Sequence, residues 1–148
     1  MKDIIIQLSK RVGTITATSS IYESESWGFE HPMPFLNQVV EVKSKLDPLC
    51  LLEICQQIEV ALGRKRFTQG YAARNADIDI LFIDDFIFTL PPLILPHKHL
   101  HDRMFVLEPL CEIAPNFIHP MLGCTISELK NKCEDNCEIW KYEAKVSS

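Results

Sequence analysis

One long helical run, closed in on both sides by segments of period two, constrains this chain more than any other feature. Asp47-Pro48 joins an N-cap residue to a proline at the first helical position. Leu49, Leu52 and Cys55, together with Leu51, Ile54 and Ile58, then spread apolar side chains over one wide face, and Gly63 is the expected stop. Upstream, Ile15, Ala17, Ser19 and Ile21 alternate within a strand expected over 14–22, and 35–44 reads as a second strand. Downstream, 77–82 (DIDILF) alternates again. A wide apolar stripe must be buried against another layer, and the period-two segments supply a sheet. Ile5, Leu8 and Val12 predict a short first helix ending near Gly13. Residues 23–34 and 64–74 read as loops, and a turn at Asp84-Asp85 leads to a short strand at 86–88. Pro91, Pro92 and Pro96 hold an irregular stretch, and 103–114 predicts a helix broken at Pro109. Thr125-Ile-Ser-Glu128 is a capping box opening a last helix to about Cys133. The order αββαβ, then β and α, predicts an α+β sandwich in a single domain spanning 1–148.

Composition narrows the function classes. Fifteen Lys+Arg against twenty Asp+Glu give a formal charge of −5, which argues against a protein that coats nucleic acid. A local basic site is still compatible with it. No run of 18 apolar residues exists, so no membrane span is expected, and MKDIIIQLSKR lacks the features of a secretion signal. Six cysteines contain no C-x-x-C pair and read as free, mostly buried thiols of a cytoplasmic protein. Nothing points to an oligomer, and a monomer is expected.

Asp77 and Asp79 are the sharpest chemical signal. Positions i and i+2 of a strand share a face, roughly 7 Å apart, with Ile78, Ile80 and Phe82 turned to the core. Two like charges on one face repel unless a cation sits between them, and magnesium suits such a pair. A solvated polar face is the plainer reading of the same spacing. Arg64, Lys65, Arg66 and Arg74 lie just upstream with no acid among residues 64–74. Cations for phosphate oxygens beside carboxylates for a metal are what a metal–polyphosphate site needs, although a basic loop can also be merely solvated. His97, His99 and His101 alternate after Pro96. They read as loop histidines, as a phosphate donor or as a zinc site, and the proline-rich setting does not favour zinc. Trp27, Phe35 and Phe105 stand in or beside loops, where each can be core or a stacking platform.

The blocks SSIYESESWGF, FLNQVVEV, QQIEVALGRKR, RNADIDILF and LPHKHLHDRMFVLEPLCEIAP resemble the 6-hydroxymethyl-7,8-dihydropterin pyrophosphokinase family, in the family's order from about residue 4 to residue 129. The resemblance implies a ferredoxin-like core and transfer of diphosphate from ATP to the pterin's hydroxymethyl group, with release of AMP, in folate biosynthesis. It implies two magnesium ions on Asp77 and Asp79, and Arg64, Arg74 and Arg103 in the phosphate site. Gln56, Glu59, Ile80 and His97 fall at positions beside the nucleotide. Phe35 and Phe105 match the aromatic pair that sandwiches the pterin, Asn37 the amide at its edge, and Ser24 and Trp27 the loop that closes over it. Catalysis would be mainly positioning and charge neutralisation, with Asp77, Asp79, Arg64 and Arg74 as the catalytic set.

The family opens with a strand and a Gly-Ser-Asn-like loop before its first helix, and this sequence starts at that helix. The expectation is therefore a sheet short of its first strand, with a weakly active or non-catalytic member of the fold as the rival to an active enzyme. Glu25-Ser26 stands where a proline is common, and Pro92 where some members carry arginine. A metal-dependent phosphohydrolase using the same aspartates is a further alternative, disfavoured by the stacking residues. An interaction module without a ligand is the remaining class.

Overall fold

A computed structural model describes residues 2–24, 35–68 and 77–142, the side chains of 64–68 excepted. The elements in chain order are α1 (Lys2–Arg11), β1 (Thr14–Thr18), β2 (Tyr22–Ser24), β3 (Phe35–Asn37), β4 (Val40–Lys43), α2 (Pro48–Thr68), a 3-10 turn (Leu100–Asp102), α3 (Met104–Ile113), α4 (Ile126–Lys132) and β5 (Ile139–Lys141). Helices mixed with antiparallel pairing bear out the α+β class. The described strands form two sheets, β1–β4 and β3–β2–β5.

The chain divides into two compact units, Met1–Thr16 with Glu41–His97, and Ala17–Val40 with Lys98–Ser148. In the first, α1 packs on α2, and Leu8, Cys55, Ile58, Leu93 and Leu95 are buried. Arg11 donates to Gln57 across that helix pair. In the second, α3 packs on α4, β2 and β3. Tyr22, Leu100, Leu107, Pro109, Leu110, Ile126 and Leu129 form its interior.

The two long strands expected over 14–22 and 35–44 are each split. Ser19 N donates to Val39 O at 2.8 Å, Ser19 Oγ accepts from Val39 N at 2.9 Å, and Gln38 Nε2 donates to Ser19 O at 2.8 Å. Side chains have taken ladder partners, so both strands break at the same level. Glu23 and Ser24, read as loop, are strand β2.

Asp47 caps α2 as the sequence predicts, its Oδ1 accepting from Cys50 N at 2.9 Å. Gly63 does not end the helix, which runs on to Thr68 and carries the backbone of 64–68, read as loop. Gly63 is buried within it, and one glycine costs only about 1 kcal/mol against alanine in a helix. Pro109 likewise does not break α3. It removes a single helical hydrogen bond, and its ring is fully buried. The capping box at Thr125 and Glu128 is present in both directions.

Residues 77–82 form no strand, a correction to the alternation argument. Period two is met in exposure, with Asp77 and Asp79 exposed and Ile78 and Ile80 half-buried, but among the described residues no neighbouring strand offers a ladder. The strand expected over 86–88 is a single bridge, Phe88 to Leu95, after a turn in which Asp84 takes a positive φ of 50°. None of the six cysteines is in a disulfide, but only Cys55 is buried and the other five are half-buried, so the thiols are more exposed than expected.

Candidate functional site

In the first unit the acidic pair is fastened by α2. Cys55 and Ile58 bury the inner face of that helix, and Glu59 follows them on its flank. Glu59 Oε1 accepts from Ile78 N at 2.7 Å. That amide lies between Asp77 and Asp79, so the helix grips the backbone from which both acids project. At the other end of the segment His97 N donates to Leu81 O at 2.9 Å. Burial raises the Glu59 carboxyl above its ordinary range, the Ile78 amide opposes this, and the charges of Asp77 and Asp79 add to the rise. The Glu59 carboxyl thus senses both aspartates.

The two aspartates are exposed, and among the described residues no three metal-binding side chains converge on a point. A two-carboxylate donor set open to solvent suits magnesium, which uses one or two carboxylates and fills its shell with phosphate oxygens and water. Gln56, one helical turn before Glu59, is exposed, while Ile80 and His97 are half-buried. Arg64 has its backbone in α2, its side chain lying outside the described residues, as does all of Arg74.

The residues expected at a pterin lie in the second unit. Antiparallel pairing sets Tyr22 opposite Asn37 and Ser24 opposite Phe35. Asn37 Nδ2 approaches Ser24 Oγ at 3.4 Å, so the buried serine hydroxyl orients the amide. Phe35 and Asn37 share one strand face by their spacing. Phe105 stands at the start of α3, which packs on β3, and the Arg103 guanidinium carbon lies 5.7 Å from the Phe105 ring centroid. Trp27 lies outside the described residues.

Sequence reasoning missed the supports behind these residues. Asp135 Oδ2 accepts from Met104 N at 2.9 Å and so satisfies the N-terminus of α3 from 31 positions away, and its Oδ1 accepts from Cys137 N at 3.0 Å. Glu112 accepts from Ser20 N at 3.0 Å, Ser20 Oγ at 2.7 Å and Tyr22 Oη at 2.9 Å, tying β2 to α3. Neither acid has a local sequence signature, because each partner is distant in the chain.

The chain matches the family model described as 7,8-dihydro-6-hydroxymethylpterin-pyrophosphokinase over residues 1–115. It is similar to proteins named 2-amino-4-hydroxy-6-hydroxymethyldihydropteridine pyrophosphokinase. The one from Bacillus subtilis is 46% identical over 101 residues, 68% of this chain and 60% of the relative. The one from Porphyromonas gingivalis is 45% identical over 116 residues, 76% of this chain and 78% of the relative. The one from Aquifex aeolicus is 42% identical over 130 residues, 86% of this chain and 80% of the relative. The chain thus spans less than two-thirds of the Bacillus subtilis protein and about four-fifths of the other two.

Proposed function

Because the chain belongs to the 7,8-dihydro-6-hydroxymethylpterin-pyrophosphokinase family, we propose that it transfers diphosphate from ATP to 6-hydroxymethyl-7,8-dihydropterin in folate biosynthesis. The pterin hydroxyl oxygen bonds to the β-phosphorus, the bond from that phosphorus to the AMP oxygen breaks, and the hydroxyl proton passes to solvent. AMP and the pterin diphosphate are the products.

The observation that supports this reading most is the exposed Asp77–Asp79 pair held from behind by Glu59. We assign those two acids to magnesium, with two ions as the stoichiometry. Magnesium bound there supplies charge neutralisation for the phosphate oxygens. Arg64, Arg74 and Arg103 are assigned to the phosphates, and Gln56, Glu59, Ile80 and His97 to the nucleotide. Phe35 and Phe105 are assigned to the pterin faces and Asn37, Ser24 and Trp27 to its edge and cover. The buried Ser24 hydroxyl beside the Asn37 amide suits a heterocycle that needs a fixed donor–acceptor pattern. We take the protein to act as a monomer in the cytoplasm without a nucleic-acid partner, a setting that suits six cysteines outside disulfides and a net charge of −5.

The test is AMP formation from ATP and 6-hydroxymethyl-7,8-dihydropterin. Asp77→Ala and Asp79→Ala should each lower turnover by about a hundredfold or more, with far-UV circular dichroism unchanged. Undiminished turnover in either variant rejects the assignment.

A further inference from the structure

We propose that Glu59 is a positioning residue that sets the orientation of the Asp77–Asp79 pair through the backbone amide of Ile78. The inference rests on the reading of that pair as the metal site and adds a residue that acts through it. Among the described residues, 77–82 belongs to no strand ladder. An isolated extended segment can rotate about its own axis, and with period-two side chains any rotation carries both acids away from their face together. Among the described residues, the hydrogen bond that opposes this at the acidic end is the 2.7 Å bond from Ile78 N to Glu59 Oε1. Its donor lies between the two acids, and its acceptor stands on a helix anchored by Ile58, which is 1% exposed. The main-chain bond from His97 N to Leu81 O holds the far end. The same strut fixes Ile78 and Ile80 toward the interior, where both are half-buried.

A carboxylate placed near two other carboxylates is electrostatically unfavourable, and burial adds to the cost. Glutamate at this position is explained by reach and by an acceptor oxygen, which glutamine also has. That separates a positioning role from a ligand role. A metal ligand needs the charge, whereas a strut needs only the oxygen at that distance.

The full chain is tested with Mn2+ alone as the probe, without nucleotide, by electron paramagnetic resonance. Exchange of the Ile78 amide is followed by NMR, and thermal melts report folding. Glu59→Ala should speed Ile78 exchange and weaken Mn2+ binding by about tenfold each, the usual size of an outer-shell effect. Glu59→Asp keeps the charge but loses the reach, and should match alanine. Glu59→Gln keeps the acceptor and should stay within about threefold of the parent in both readouts. Unchanged exchange or unchanged Mn2+ affinity in Glu59→Ala and Glu59→Asp overturns the proposal. So does a glutamine variant as impaired as alanine, since charge would then be the working property. Asp77→Asn is the control for the underlying reading. If it binds Mn2+ undiminished, the metal assignment itself fails, which is told apart from failure of the strut because it is read on a different residue.

Discussion

Tyr22 lies 5% exposed with its hydroxyl donating to Glu112, and the pair shows how one residue ties sheet to helix. Burial first, and then the hydrogen bond and charge of Glu112, push the Tyr22 hydroxyl from 10.0 up to about 12. Burial also acts to raise Glu112, but the donors from Ser20 and Tyr22 outweigh it and hold that carboxyl below its ordinary range. A folded-state value above the unfolded one favours the protonated form, so Tyr22 contributes stability in full below pH 10 that is lost as pH rises toward about 12. Urea unfolding across that window should show a decline in the parent that is smaller in Tyr22→Phe. Equal slopes would remove Tyr22 as the cause. At this scale the alternation of exposure from Asp77 to Ile80 was legible. Glu112 and Asp135 were not, because their donors lie about 90 and 31 positions away and no local pattern announces such partners.

Helix starts were read better than strand lengths, and the difference is physical. Asp47 and Thr125 act on amides three residues on, so their effect is written locally. The split of both long strands depends on Ser19 meeting Val39 and Gln38 across the pairing, which propensity cannot contain. The turn from α1 into β1 is tighter still. A side chain at Gly13 would overlap the carbonyl oxygen of Lys43, a backbone atom that cannot swing aside. Gly13→Ala should therefore destabilise by about 2 kcal/mol, as overpacking does, and lower the melting temperature by about 6 °C for a chain of this size. A melt within 1 °C or so of the parent would mean that the α1–β1 corner yields at little cost.

Across the whole molecule, the described residues assigned to the two substrates divide between the two units, apart from Arg103, a phosphate residue that belongs with the pterin set. Gln56, Glu59, Asp77, Asp79, Ile80 and His97 belong to one, and Ser24, Phe35, Asn37, Arg103 and Phe105 to the other. Hydrogen exchange should therefore give separate footprints. A magnesium complex of a non-hydrolysable ATP analogue should slow amides in 77–82, and a pterin should slow those of β2 and β3. A pterin that protected 77–82 alone would count against the assignment of Phe35 and Asn37.

The short strand β5 also governs how this protein can be handled. It lies beyond the matched residues 1–115, yet it pairs antiparallel along β2 on the edge opposite β3, with Trp140 Nε1 donating to Glu23 Oε2 at 3.0 Å and Tyr142 N to Ile21 O at 2.7 Å. It is a selvedge, the finished border that keeps a narrow fabric from fraying. Trimming the chain back to the matched span would strip that border from the strand bearing Ser24 and leave its main-chain groups open to pairing between molecules. Affinity handles and fused partners for biochemical work are accordingly better joined at some other point than next to Lys141.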